Sequence, residues 1–468
     1  VTDGVAVRDG AAVTMPRAVI GTALHAPRRG GVEALRDVVI VIDADGTIEG
    51  IHAHASPAGR AAATRHAASG TLTVLKTGCV LLPGMIDLHV HAPQWPQLGL
   101  ALDEPLEVWL QKFTFPLEAR YADTAYAASV YESLVDTLLA NGTTTALYYG
   151  SIHLAATQAL AAICLERSQR ALIGRVAMDN PEQCPDYYRD TSAASAAADT
   201  RAFIEYVRAM PGNRGLIWPV ITPRFIPSCT DDLLQRLGAL ALETACHVQT
   251  HCSESDWAQR VVRERCGVSD TTALAGYGLL SRRTVLAHAN FVDDADTARI
   301  VDAGAGIAHC PLSNAYLSDA VFPLRRLLQR GAHVGLGTDI AGGASPSLLE
   351  NARQAVIVSR LLESGVDAAL DREQRRREPS RIDALTAFWL ATTGGGIALD
   401  LPIGLFKTGY QFDAIVIEAS TAGNLRIAVT DSESDIVQKI IYHASRADIR
   451  DVWVAGRCVR RRSCDAHA

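Results

Sequence analysis

At 468 residues the chain exceeds one ordinary domain and has room for a barrel with an appended module. Its 48% apolar and 20% charged residues are those of a soluble globular protein with ample core material. A net charge of −7 argues against a nucleic-acid backbone or an anionic membrane as the main partner, and no apolar run approaches the ~20 residues that span a bilayer.

Residues 1–79 alternate short β-like runs with turn signals, as in Val38-Val39-Ile40-Val41-Ile42 followed by Asp43-Ala44-Asp45-Gly46. The opening stretch, Val1 to Gly10, lacks the basic-then-apolar pattern of a secretory signal. Ten scattered cysteines without a CxxC pair read as reduced, buried thiols, so the expected compartment is the cytoplasm. Residues 52–70, rich in Ala, His, Arg and Gly, read as a surface insertion without a helical period.

From residue 80 to 399 the character changes. Apolar runs at 81–89, 144–149, 171–178, 216–222, 246–251, 284–288, 305–309 and 333–338 are strand candidates. Segments between them, such as Tyr121–Leu139, Ser192–Met210 and Asp231–Thr244, carry amphipathic helical spacing. Parallel strands need crossover connections, so this alternation predicts a (β/α)8 TIM barrel. After residue 400 β patterning returns, in Phe412–Ile417 and Val452–Gly456. Neither end is a convincing core alone, so residues 1–79 and 400–468 are expected to form one discontinuous β-sandwich domain beside the barrel at 80–399.

The chemistry is concentrated in Pro83-Gly84-Met85-Ile86-Asp87-Leu88-His89-Val90-His91. Residues two apart on a strand point the same way, so His89 and His91 project together at a strand's C-terminal end, where barrel active sites lie. The pair His52-Ala53-His54 has the same spacing but no strand before it, and reads as ordinary surface histidine. Further candidates fall where the barrel reading places strand ends: His251, followed by Cys252-Ser253-Glu254; His288; and Asp339 in Gly337-Thr338-Asp339. A lone histidine at one such end is usually structural, but four histidines and an aspartate at four strand ends point to a metal. Zinc in a site with an open position lowers the pKa of bound water to about 7, and Glu254 is placed to shuttle protons.

With these residues in view the chain resembles the amidohydrolase superfamily and, within it, the guanine deaminases, over nearly its whole length. The narrower likeness rests on His91-Ala92-Pro93-Gln94, Trp109-Leu110-Gln111-Lys112-Phe113-Thr114-Phe115-Pro116, Asn141-Gly142-Thr143-Thr144-Thr145-Ala146, Thr222-Pro223-Arg224-Phe225, His251-Cys252-Ser253-Glu254, Ala308-His309-Cys310-Pro311 and Gly337-Thr338-Asp339-Ile340-Ala341-Gly342-Gly343. The resemblance implies one zinc per subunit held by His89, His91, His251 and Asp339, with iron or manganese also compatible with such ligands. It implies that Gln94, Arg224 and Phe225 recognise a purine base, that Trp95 or Phe225 stacks on it, and that His288 and His309 contact substrate; His153 is a weaker pocket candidate. Arg224 suits guanine, whose O6 and N7 accept together, and Gln94 suits a ring edge carrying a donor and an acceptor.

The implied reaction is hydrolysis of guanine at C2 to xanthine and ammonia. In it Glu254 protonates N3, Asp339 takes the proton of the nucleophile, and His288 steadies the intermediate. The resemblance also implies a homodimer. Competing readings are a relative acting on 8-oxoguanine, an adenosine-like substrate or a triazine such as ammeline, and a non-enzymatic scaffold on the same fold.

Overall fold

The computed structural model describes residues 18–420 and 423–462; Val1–Gly10, used above in the compartment reading, lie outside them. Eight parallel strands form the barrel: β1 (Met85–His91), β2 (Thr143–Tyr149), β3 (Arg170–Ala177), β4 (Ile217–Pro223), β5 (His247–Cys252), β6 (Thr284–His288), β7 (Gly306–His309) and β8 (His333–Leu336). They pair in sequence order, and the chain beyond β8 closes the ring on β1, with Asp339 N–H donating to the His89 carbonyl at 2.8 Å and His91 N–H to the Ile340 carbonyl at 2.9 Å. The barrel is plugged: Leu88, Leu147, Leu172, Val220 and Val285 pack together with Ala398 and Leu399. The plug leaves the C-terminal rim as the open end at which a site can form.

Two glycines mark where the backbone needs room. A Cβ on Gly84 would lie 2.1 Å from Thr144 Oγ1, and one on Gly337 would lie 2.8 Å from the Cβ of His89. The first sits where the chain leaves one sheet for another. The second lets the end of β8 approach β1. The strand expected at 81–89 is accordingly two strands: Val80–Pro83 belongs to the terminal sheet, and β1 starts after Gly84.

Both ends of the chain build a separate eight-stranded, mostly antiparallel sheet, joined where Val80–Pro83 pairs with Ala414–Ile417. Alternation assigns its faces. Val19, Val38, Ile40 and Ile42 share one cluster with Leu81, Val416 and Trp453, while Ala18, Ile20, Val39 and Val41 face the other way. That second face is covered by Ala62 and Ala63 of a helix, Pro57–Ala68, within the segment read as a surface insertion without a helical period. Ser56 caps it, accepting from Gly59 N at 3.0 Å, with Pro57 at the first helical position. The run of alanines hid its weak amphipathicity. A second helix absent from the sequence reading, Glu433–His443, buries Val437, Ile440 and Ile441 against the barrel.

The three helices expected between strands are present as Thr124–Ala140, Ala193–Ala209 and Asp231–Thr244, each begun by a side-chain cap from Asp123, Ser192 or Thr230. Barrel and sheet are tied by a buried ion pair in which Arg170 Nε donates to Asp413 Oδ2 at 2.8 Å. Among the described residues no helix is long and apolar enough to cross a membrane.

Candidate active site at the barrel rim

Four strand ends bring five residues into one buried cluster. His89 and His91 come from β1, His251 from β5, His288 ends β6, and Asp339 follows β8. The nitrogens of His89, His91 and His251 lie within 4.8 Å of one another, as do ligand atoms of His89, His288 and Asp339 and of His251, Glu254 and His288. His89 Nε2 is 3.1 Å and His91 Nε2 3.5 Å from Asp339 Oδ1, while His91 Nε2 and His251 Nε2 are 3.0 Å apart. His288 and Asp339 hold left-handed backbone angles, φ 69° and 51°, a conformation that costs about 1–3 kcal/mol and is tolerated where surrounding structure fixes it.

Outer hydrogen bonds fix the rings. His251 Nδ1 donates to the Arg224 carbonyl at 2.5 Å, and His288 Nδ1 donates to Asn314 Oδ1 at 2.9 Å, so both Nε2 atoms turn their lone pairs into the cluster. Asp87 braces the closure, accepting from Thr338 N at 2.9 Å and Thr338 Oγ1 at 2.6 Å. Burial lowers the pKa of His89, and burial with neighbouring imidazoles takes His91 and His251 well below the usual value, so all three are neutral. Burial opposes the charge of Asp339, but the surrounding histidines, His89 first, outweigh it and hold the carboxyl at about 2.

These residues fit a divalent metal. Three neutral imidazoles and one carboxylate are a borderline-hard donor set, and the buried Nε2 atoms of His89 and His288 have no hydrogen-bond partner. Glu254 lies beside them, 3.5 Å from His288 Nε2, and burial raises its pKa to about 7. It can therefore hold or release a proton near neutrality. Asn290 Nδ2 donates to the Glu254 carbonyl at 2.9 Å and fixes the loop that carries it.

The cluster forms one end of a pocket lined by His91, Gln94, Trp109, Arg224, Phe225 and Glu254, with Leu106, Leu110 and Leu317 as apolar wall. At the other end Arg224 makes a two-pronged ion pair with Glu118, NH1 to Oε2 at 2.7 Å and NH2 to Oε1 at 3.0 Å. Gln94 Nε2 donates to the same Oε1 at 2.9 Å, and Gln94 Oε1 accepts from Ala341 N at 3.2 Å. Phe225 packs 6.1 Å from the His251 ring.

Two candidates fall elsewhere. Trp95 is next to Gln94 in a short helical turn, so its side chain leaves in another direction, and its indole donates to Ser133. His309 is buried against Phe322, ring centres 5.0 Å apart, and burial pushes its pKa down to about 3; it is not among the lining residues. His153 precedes the helix Leu154–Glu166 with its ring 5.9 Å from Tyr188, and His54 pairs with Asp37 at the surface. The sequence reading missed Glu118, which follows the Trp109–Pro116 string by two residues; the one signal available was that a buried arginine needs a carboxylate. It also missed Tyr149, whose ring lies 4.6–4.9 Å from those of His89, His91 and His251.

A parallel barrel with neutral histidines, an aspartate and an adjacent proton-carrying glutamate at its C-terminal rim is the architecture of a metal-dependent hydrolase. Residues 80–459 match the family model described as the amidohydrolase family, and the chain belongs to that family. It is 35% identical over 451 residues to a probable guanine deaminase of Schizosaccharomyces pombe, covering 94% of this chain and 82% of that one. It is also 35% identical over 458 residues to the guanine deaminase of Dictyostelium discoideum, covering 94% and 97%. In structure it is similar to the guanine deaminase of C. acetobutylicum with guanine bound in the active site, with TM-score 0.84, 27% identity, and 94% and 99% of the two chains covered.

Proposed function

We propose that the protein is a guanine deaminase that hydrolyses guanine to xanthine and ammonia. The observation that carries this reading is a single small pocket joining the histidine–aspartate cluster to the Glu118–Arg224–Gln94 cluster. The first end suits a cation and a displaced amino group; the second suits the polar edge of a purine. The names of the relatives point the same way.

In this proposal His89, His91, His251 and Asp339 hold one zinc ion. When bound, it supplies a water acidic enough to act as the nucleophile near neutral pH. Arg224 and Gln94 address the oxygen-bearing edge of the base, and Phe225 packs on its face, presenting C2 to the cluster. Glu254 delivers a proton to N3, which draws electron density from C2. Asp339 takes the proton of the attacking water. His288 steadies the oxygen added at C2. The proton held by Asp339 passes to the amino group, which leaves as ammonia, while the new C2 hydroxyl gives its proton back to Glu254, leaving xanthine.

A cytoplasmic homodimer belongs to the same proposal. Among the described residues the cysteines are free and mostly buried, which suits a reducing compartment; light scattering tests the dimer.

A substrate panel on metal-analysed protein tests the activity by following ammonia release from guanine, 8-oxoguanine, adenine, adenosine and ammeline. Strong preference for guanine with xanthine as product supports the reading. Preference for another member would keep the hydrolytic site and overturn the substrate.

A further inference from the structure

Glu118 is almost fully buried, at 1% exposure, and so are its partners Arg224 and Gln94, each at 2%. A carboxylate can only accept hydrogen bonds, and the Ala341 backbone N–H can only donate one. Gln94 lies between them. Its amide therefore has one admissible orientation, with Nε2 on Glu118 and Oε1 on Ala341. A flipped amide would set the Gln94 oxygen against the carboxylate and its NH2 against the Ala341 N–H, leaving buried polar groups unpaired at a cost the fold does not otherwise recover.

The lock has a direction. The oxygen end of Gln94 rests on Ala341, two residues beyond Asp339; the nitrogen end rests on the Glu118–Arg224 pair. Each end keeps one unused capacity, a lone pair on Oε1 and an N–H on Nε2. Guanine offers a donor, N1–H, beside the reacting C2 and an acceptor, O6, one atom further along. A base with an amino group at C6 offers the reverse, an acceptor at N1 and a donor at C6. A freely turning glutamine would serve both patterns. A locked one serves the first.

We infer that Glu118 is the residue that sets discrimination between 6-oxo and 6-amino purines, by fixing the orientation of the Gln94 amide while holding Arg224 in place. This rests on the guanine reading above. Glu118 is a positioning residue and itself needs no contact with substrate.

The test compares guanine with 2,6-diaminopurine, which keeps the 2-amino group as a leaving group but reverses the pattern at N1 and C6. The ratio of kcat/KM for the two bases is measured in the unsubstituted protein, in Glu118→Gln and in Glu118→Asp, with metal content determined for each. The amide introduced by Glu118→Gln has one acceptor oxygen for the three donors of Arg224 NH1, Arg224 NH2 and Gln94 Nε2, so the lock is lost. Glu118→Asp keeps the charge that Arg224 needs but is too short to reach both partners, and remains informative where the amide variant fails to fold. The expected result is a fall of roughly ten- to a hundredfold in the guanine preference of Glu118→Gln, and a smaller fall in Glu118→Asp, at unchanged metal content. Lowered turnover of both bases with the ratio unchanged would overturn the inference and leave Glu118 a structural partner of Arg224. Failure of the guanine reading itself would show separately, as no guanine turnover by the unsubstituted, metal-loaded protein.

Discussion

The two ends of the pocket solve opposite problems with buried polar groups. At the histidine end neutral nitrogens face one another at 3.0 Å, and the Nε2 atoms of His89 and His288 lie beside carboxylates without a hydrogen bond. At the Glu118 end charged and amide groups of the same depth of burial pair with one another. Buried polar groups without hydrogen bonds are costly, so the first arrangement suits a socket for a cation, whereas the second is complete before any ligand arrives. One end gains its energy on binding a metal. The other is preorganised, so little ordering is left when a base binds. Arg224 spans both, since its carbonyl orients the His251 ring and its guanidinium belongs to the Glu118 cluster.

That contrast can be broken in graded steps. Metal removal is the largest. Dialysis against dipicolinate is expected to abolish guanine turnover, zinc to restore it, and the melting temperature to fall, because a ligand at a hundredfold excess over its Kd stabilises the native state by about 2.7 kcal/mol. Turnover that survives in demonstrably metal-free protein would remove the cation from the account.

Next comes Glu254→Gln, which keeps the size of the side chain and the backbone hold of Asn290 but loses the titrating group. Zinc content should stay normal while kcat drops by about 10²–10⁴. A near-normal kcat would rule out the proton-carrying role. Arg224→Ala acts at the other end and strands the Glu118 carboxylate. Its main expected effect is a loss of roughly ten- to a hundredfold in kcat/KM for guanine, carried mostly by KM, with relaxed rejection of 2-aminopurines lacking O6. Unchanged kinetics across that series would sink the recognition role.

The smallest effect on chemistry should come from outside the pocket. Asp413→Ala breaks the buried pair with Arg170 and should cost about 3–5 kcal/mol of stability in denaturant titration, with kcat unchanged below the melting range. A changed kcat would mean that the terminal sheet communicates with the rim.

Local signals account for what was legible in the sequence. The HxH pair, the residues at the ends of β5, β6 and β8, and the strand–helix alternation are each written in a few consecutive residues, and the barrel brings together histidines and an aspartate that are far apart in the chain. Arg224 and Gln94 were readable only through resemblance to a family. Glu118 was not readable in that way: it meets Arg224 across 106 positions, and nothing local marks a glutamate in a short helix as an arginine's partner. The direction of a side chain at the end of an element was equally hidden. Gln94 enters the pocket while its neighbour Trp95 turns away to Ser133. The helix Pro57–Ala68 was missed for another reason, since alanines packed on a sheet leave little contrast between its two faces, although the Ser56–Pro57 start was there to be seen.

One pocket is proposed to hold guanine by its Glu118 end and to hydrolyse it at its histidine end. The most direct test is a single turnover of guanine by zinc-reconstituted protein in ¹⁸O-labelled water, with product read by mass spectrometry. Xanthine carrying one labelled oxygen at C2 and one equivalent of ammonia are expected. Metal-loaded protein that yields no xanthine, or xanthine without label, would contradict that proposal.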